Sequence, residues 1–235
     1  MAGAAEVVRA TAALGITRVA LVPNAKGAAL AAEAGVEALT FTVSASPTYN
    51  HKNVRMTIDQ SLVELRGVCS YGLPVDAVVS CAFGSPWEGD IDPAEVDALG
   101  RRCLDAGAAA LTYADTTGMA TPRRVEELLA RTGTDVGLHL HETRGTALLN
   151  AYAALQAGVA RFDTSIGGLG GSPFAEGAAG NLATEDLVHL LDDLGVATGV
   201  DLGRLLEASA LAAAIVGHPV PSRIAAAGPR NRRVG

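Results

Sequence analysis

A chain of 235 residues is long enough for one single-core α/β barrel or for two small domains. Its formal net charge of −7 argues against general nucleic-acid binding, and its three cysteines (Cys69, Cys81, Cys103) form no CxxC, which argues against a zinc knuckle or a disulfide framework. No charged segment with an apolar core opens the chain and no apolar run reaches a membrane-spanning length, so a cytoplasmic protein with no membrane partner is expected.

In chain order, residues 5–14 carry a helical pattern closed by Gly15, and residues 17–22 form a short β-branched strand ending at Pro23-Asn24. A helix over 27–34 stops at Gly35, and a second strand over 37–44 opens into a loop over 44–53. Thr57 and Gln60 have capping-box spacing and start a helix that runs to about residue 71. Residues 75–83 form the third strand, with Cys81 inside it as a core thiol, followed by a loop over 84–89. Asp92, Pro93 and Glu95 make a helix start: an N-cap, proline at the first helical position and an acid at the third. The fourth strand, 108–114, ends in Asp115-Thr-Thr-Gly118, and Thr121-Pro122 caps the next helix. Residues 136–140 form the fifth strand, 146–156 a helix and 160–165 the sixth strand. A glycine-rich loop over 167–173 then leads to helices at 184–194 and 202–216. The domain is expected to occupy residues 1–217, with 218–235 a basic, mobile tail holding Pro219, Pro221, Pro229 and several arginines.

Six βα units in strict alternation predict a parallel sheet buried on both faces. The chemistry-bearing residues fall at the C-terminal ends of the strands, which suits a TIM-type (β/α)8 barrel. A doubly wound open sheet would want a phosphate-binding fingerprint near the first strand. The glycine loop comes late and is not GxGxxG, so that signal is missing. A full barrel has eight strands, so two are either hidden or outside this chain.

On the fifth strand His139 and His141 are two residues apart, so both rings share a face with Cα atoms about 7 Å apart. They can converge on one metal ion, or they are two polar residues that happen to share a strand end. Asp115 closes the fourth strand as a proton carrier or as a turn acceptor for the residues after it. Asn181 precedes a helix, where asparagine is a favoured N-cap, or it is a ligand. Ser44, Ser46 and Lys52 contact substrate or belong to a solvated loop.

Several stretches taken together resemble, in the same order over roughly residues 4–206, the 3-hydroxy-3-methylglutaryl-CoA lyase family. They are Phe41-Thr-Val-Ser-Ala-Ser46 with Asn50-His-Lys-Asn53, then Val79-Ser-Cys-Ala-Phe-Gly84 with Glu88-Gly-Asp90, and Asp115-Thr-Thr-Gly118. His139-Leu-His141, Gly167-Gly-Leu-Gly-Gly171 and Gly180-Asn-Leu-Ala-Thr-Glu-Asp186 continue the series. The resemblance implies a metal-dependent (β/α)8 barrel, a dimer serving leucine degradation. It would cleave 3-hydroxy-3-methylglutaryl-CoA, or a related branched 3-hydroxyacyl-CoA, into acetyl-CoA and a keto acid such as acetoacetate. It implies His139, His141 and Asn181 as ligands of Mg²⁺ or Mn²⁺, a donor set that suits those cations. It implies catalytic roles for His139, Asp115 and Ser172, and substrate contacts for Ser44, Lys52, Gly170 and Gly171.

Three departures from the family pattern stand out. The Arg-Asp pair of the family's first strand and the glutamate of its second are not found, which fits the count of six and would make Met1 an internal methionine. Ser172 stands where the family's loop carries cysteine. A thiol has a pKa near 8.5 and a serine hydroxyl is a far weaker acid, so a contribution of roughly 10²–10⁴-fold in rate is expected to be lost. Finally, Glu142-Thr-Arg144 follows the histidine pair where Asp or Asn is usual. Rival readings are a non-catalytic remnant or binding module of the same fold, and a condensing enzyme of the wider family.

Overall fold

Short β-branched segments that alternate with helical segments can bury their backbone polar groups only by pairing in parallel, with each helix crossing back over the sheet. The structure, a computed structural model, describes residues 3–172 and 180–230. In order the elements are α1 (Ala4–Ala10), β1 (Val19–Leu21), α2 (Ala25–Ala34), β2 (Ala38–Ser44), α3 (Pro47–Val54), α4 (Ile58–Cys69) and β3 (Val75–Ser80). They continue with α5 (Pro93–Asp105), β4 (Ala110–Ala114), α6 (Pro122–Thr132), β5 (Gly137–His139), α7 (Ala147–Ala157) and β6 (Arg161–Asp163). The last are α8 (Thr184–Asp193), α9 (Leu202–Val216) and α10 (Arg223–Ala227). The six strands pair in sequence order, all parallel, in a barrel-like sheet. Among the described residues β1 and β6 each have a neighbour on one side only.

The two faces of the sheet differ, contrary to the expectation of burial on both. The face toward the helices carries Leu39, Phe41, Val43, Val75, Ala77, Val79, Tyr113, Leu138 and Leu140, all nearly or fully buried. They pack against Leu65, Val68, Val96, Val125 and Leu128 of the surrounding helices in one continuous core. The inner face carries Thr40, Thr42, Asp76, Thr112, Gly137 and Arg161 and borders a cavity of about 960 Å³. Polar side chains there bond to one another, as when Thr112 Oγ1 donates to Asp76 Oδ2 at 2.7 Å. No described helix is long and apolar enough to cross a membrane.

The helix starts follow from their caps. Thr57 Oγ1 accepts from Gln60 N at 3.2 Å while Gln60 Oε1 accepts from Thr57 N at 2.9 Å, completing the capping box of α4. Asp92 caps α5 ahead of Pro93. Two expectations need correction. The loop over 44–53 is largely α3, which Ser46 caps by accepting from Tyr49 N at 3.0 Å. Cys81 is not in a strand: β3 ends at Ser80 and Cys81 turns away with φ 55°. It is still a core thiol, fully buried, and burial pushes its pKa up to about 12.

In its described part the tail packs back onto the domain. Ser222 is buried and its Oγ donates to Asp186 Oδ1 at 2.7 Å, while Ser222 N donates to Gly167 O at 2.9 Å and Ile224 N to Asp186 Oδ1 at 3.0 Å. The buried Asp186 carboxylate is the acceptor around which residues 222–224 gather. Residues 231–235 of the expected tail lie outside the described residues.

Thr57→Ala removes one half of an exposed capping box and leaves the core intact. It should cost about 1 kcal/mol, which lowers the thermal midpoint by about 2–4 °C for a domain of this size. Thermal unfolding followed by circular dichroism checks this.

Candidate active site

Parallel pairing sets the site. The register places Ala114 beside His139 and His139 beside Asp163, so three strand ends meet at one level of the inner face. Asp163 Oδ2 lies 2.7 Å from His139 Nδ1. A carboxylate only accepts, so His139 donates from Nδ1 and its Nε2 presents a lone pair. His141 Nε2 lies 2.9 Å from His139 Nε2, with ring centroids 4.9 Å apart. Two nitrogens about 2.1 Å from one octahedral ion, at right angles, would be about 3.0 Å apart, so the pair matches one edge of such a shell. A carboxylate behind a histidine is also the usual support for an imidazole ligand. Among the described residues no group of three His, Cys, Asp or Glu side chains converges on a common point. The remaining donors would be oxygen atoms, Asn181 first among them.

Asn181 is brought to the pair by backbone. His141 and Asn181 form an isolated antiparallel bridge, flanked by Leu182 N donating to Leu140 O at 2.8 Å and Glu142 N to Gly180 O at 3.0 Å. The N-cap of α8 is Ala183, so Asn181 does not cap that helix. Its Nδ2 donates to Leu169 O at 2.8 Å, which turns the amide oxygen away from that carbonyl. The approach is close: a Cβ on Gly180 would collide with Gly168 O, and one on Gly170 would lie 2.6 Å from Asn181 Nδ2.

The same cavity is lined by Gly170, Gly171 and Ser172 of the glycine loop, by His139, His141 and Asn181, and by Tyr49 from α3. Pro173 of that loop lies outside the described residues. Ser172 Oγ is 2.8 Å from Tyr49 Oη.

Other expected site residues stand elsewhere. Asp115 is buried but does not border the cavity; its Oδ1 accepts from Met119 N at 2.7 Å and Ala120 N at 3.0 Å. That geometry matches the turn-acceptor reading, although the N–H donors are Met119 and Ala120, further along the turn than Thr116 and Thr117. Asp115 Oδ2 has no hydrogen-bond partner among the described residues. Burial pushes its pKa up to about 7 against the opposing effect of those two N–H donors, Arg144 and His139. Ser44 is buried beneath the cavity, bonded to Ser46 N and to Ser80 O. Lys52 is exposed on α3 with its Nζ 5.5 Å from the Trp87 ring centroid.

The unusual Glu142 and Arg144 serve structure. Arg144 Nη1 donates to Thr117 O and Gly118 O, and Glu142 accepts from Ala147 N and pairs with Arg223.

The sequence assigns no role to three residues that the structure brings to the site or its supports. Asp163 ends the sixth strand with a carboxylate at the barrel's active end, a signal that could have been read. Glu88 accepts from Ser46 Oγ, Ser85 Oγ and Thr48 N, tying α3 to the loop after β3. Burial alone would raise Glu88, but these donors hold its pKa at about 2. Tyr49 carries no local signal, because its partner lies 123 positions away.

With this geometry in hand, the similarities to known proteins fall into place. A profile of the HMGL-like family matches residues 2–212. The chain belongs to the HMGL-like family. It is 43% identical over 220 residues to the (R)-citramalyl-CoA lyase of Chloroflexus aurantiacus, covering 89% of this chain and 69% of that protein. It is 41% identical to a hydroxymethylglutaryl-CoA lyase of Bacillus subtilis, covering 89% of this chain and 73% of that one. The structure of an HMG-CoA lyase from Acinetobacter baumannii, in complex with coenzyme A and 3-methylmalate, superposes with a TM-score of 0.90 at 39% identity. That match covers 100% of this chain and 80% of the other, so HMGL-like barrels share the parallel sheet seen here.

The pKa of Asp115 is raised above its unfolded value near 3.9, so the folded state binds the extra proton between about pH 4 and 7. The stability this proton confers is complete below pH 4 and is lost as pH rises through 7. In metal-free protein the thermal midpoint should therefore fall between pH 5 and pH 8. Asp115→Asn should shrink that fall by several degrees, whatever constant cost the buried amide adds. Equal slopes for the two proteins would rule the shift out.

Proposed function

We propose that this chain is a carbon–carbon lyase that cleaves a branched 3-hydroxyacyl-CoA into acetyl-CoA and a keto acid. The observation that carries the reading is the pair His139–His141, backed by Asp163 and joined by backbone to Asn181, at the mouth of the inner cavity. Members of the family depend on a divalent metal, and the two imidazoles with the Asn181 amide are the residues that would hold Mg²⁺ or Mn²⁺ here. Such an ion supplies Lewis-acid polarisation of the substrate's hydroxyl and carbonyl oxygens.

Cleavage removes the proton of the tertiary alcohol, turns C3 into a ketone and breaks the C2–C3 bond, whose electrons pass into the thioester as an enolate. A proton delivered to C2 then completes acetyl-CoA. The chain's own residues divide this work. Asp163 fixes the ring of His139, and the 141–181 bridge sets Asn181 against His141. Gly170, Gly171 and Ser172 form the wall against which C2 would lie. Ser172 is the loop hydroxyl on that wall, and its proposed part is to deliver the proton.

Hydroxymethylglutaryl-CoA and citramalyl-CoA both carry a tertiary alcohol two carbons from the thioester carbonyl, and they differ in the arm beyond C3. Either fits the reading. Purified protein with Mn²⁺ should release acetyl-CoA from at least one of them, followed by chromatography. Chelation should abolish turnover, and His141→Ala should lower kcat/KM by about 10²-fold or more. Turnover that survives both treatments would remove the metal from the mechanism. Failure to release acetyl-CoA from both thioesters would remove the lyase reading.

Ser172→Cys places a stronger acid at the wall and should raise kcat by about 10-fold or more. An unchanged kcat in an active enzyme would mean that Ser172 does not limit proton delivery.

A further inference from the structure

Serine is a poor proton source, yet the hydroxyl that lines the wall of this cavity does not stand alone. Tyr49 Oη and Ser172 Oγ are 2.8 Å apart, and both side chains border the cavity. We infer that Tyr49 is the proton reservoir behind Ser172, the two hydroxyls forming a relay that delivers the proton taken up at C2. This inference rests on the lyase reading and names the source of one proton in it.

Three observations support the assignment. The first is rigidity. Tyr49 is 5% exposed, its backbone N–H is capped by Ser46 Oγ at 3.0 Å, and Ser46 Oγ in turn donates to Glu88 at 2.6 Å. Its ring packs against Trp87 with centroids 6.2 Å apart. The phenol is therefore held by α3 and the loop after β3 independently of the glycine loop it bonds to. The second is the inventory of other acids. His139 and His141 are the imidazoles that would hold the ion, and Thr116, whose Oγ1 accepts from Cys81 N at 3.0 Å, is an aliphatic alcohol no stronger as an acid than Ser172. The third is acidity. A phenol titrates near 10, well below an aliphatic hydroxyl. Burial raises the Tyr49 phenol, while the hydrogen bond with Ser172 opposes that rise by favouring the phenolate.

The transfer balances. Ser172 gives its Oγ proton to C2 of the enolate as the C–H bond forms. Tyr49 Oη gives its proton to Ser172 Oγ, and the restored serine hydroxyl donates back to the phenolate. The proton released from the substrate alcohol reaches the phenolate through water, so no net charge accumulates over a turnover. In this relay Tyr49 acts through Ser172 as a positioning and proton-supplying residue.

The test is Tyr49→Phe, which removes one oxygen and keeps the ring against Trp87. Cleavage of the active thioester should show kcat reduced about 10²-fold with KM held within about twofold. Exchange of acetyl-CoA methyl hydrogens with D₂O, followed by mass spectrometry, reads proton transfer at C2 directly and should slow in parallel. In a Ser172→Cys background, where the thiol is its own acid, Tyr49→Phe should cost little, and that rescue excludes a folding defect. Equal losses in both backgrounds overturn the relay in favour of a packing role. A Tyr49→Phe enzyme as fast as an active parent overturns it outright and leaves the lyase reading standing. A parent that cleaves neither thioester overturns both.

Discussion

Everything at the active end depends on the register of three short strands. Tyr113 lies beside Leu138 and Leu138 beside Phe162, so Ala114, His139 and Asp163 share the next level. A one-residue slip of β5 would turn His139 toward the helices and Leu138 toward the cavity. Leu138 and Leu140 are both fully buried, and their burial on the helix side is what makes the slip costly. The apolar residues on either side of His139 thus hold the imidazole where the chemistry needs it.

The inner face is polar for a related reason. It borders open space, and its side chains bond to one another, although Asp76 Oδ1 is buried with no hydrogen-bond partner among the described residues. Thr112 bonds to Asp76, Arg161 Nη2 donates to Leu111 O at 3.0 Å, and Arg161 lies 3.7 Å from Asp76. Carboxylates at different depths then behave differently. Glu88, with three donors, stays ionised at low pH, whereas Asp115, with two donors on one oxygen and none on the other, titrates near neutrality. Burial acts in the same direction on both, but Asp115 lies much deeper and has fewer donors, so desolvation prevails there and hydrogen bonding prevails at Glu88.

Much of this was legible in the sequence. The six strands, the capping box at Thr57 and Gln60, and the convergence of His139, His141 and Asn181 rest on periodicity, cap chemistry and family likeness. Helix α3 was missed because Pro47–Val54 is mostly polar, although Ser46-Pro47 was a readable helix start. The two roles open for Asp115 and for Asn181 predict the same residue at the same strand or helix end, so only the direction of the side chain separates them. Asp163 and Tyr49 act across 24 and 123 positions, a distance on which local patterns carry no information.

The segment around Ser222 has a consequence for how the protein comes into being. Glu185 accepts from Gly167 N with both carboxylate oxygens, Ser222 N donates to Gly167 O, and a Cβ on Gly167 would lie 2.5 Å from Val220. The base of the glycine loop is therefore clamped by residues made some fifty positions later. On the ribosome the sheet and its histidine pair can assemble while this clamp is still inside the exit tunnel. The wall carrying Ser172 gains this part of its support when residues 220–224 emerge, so the pocket matures after the sheet that it borders.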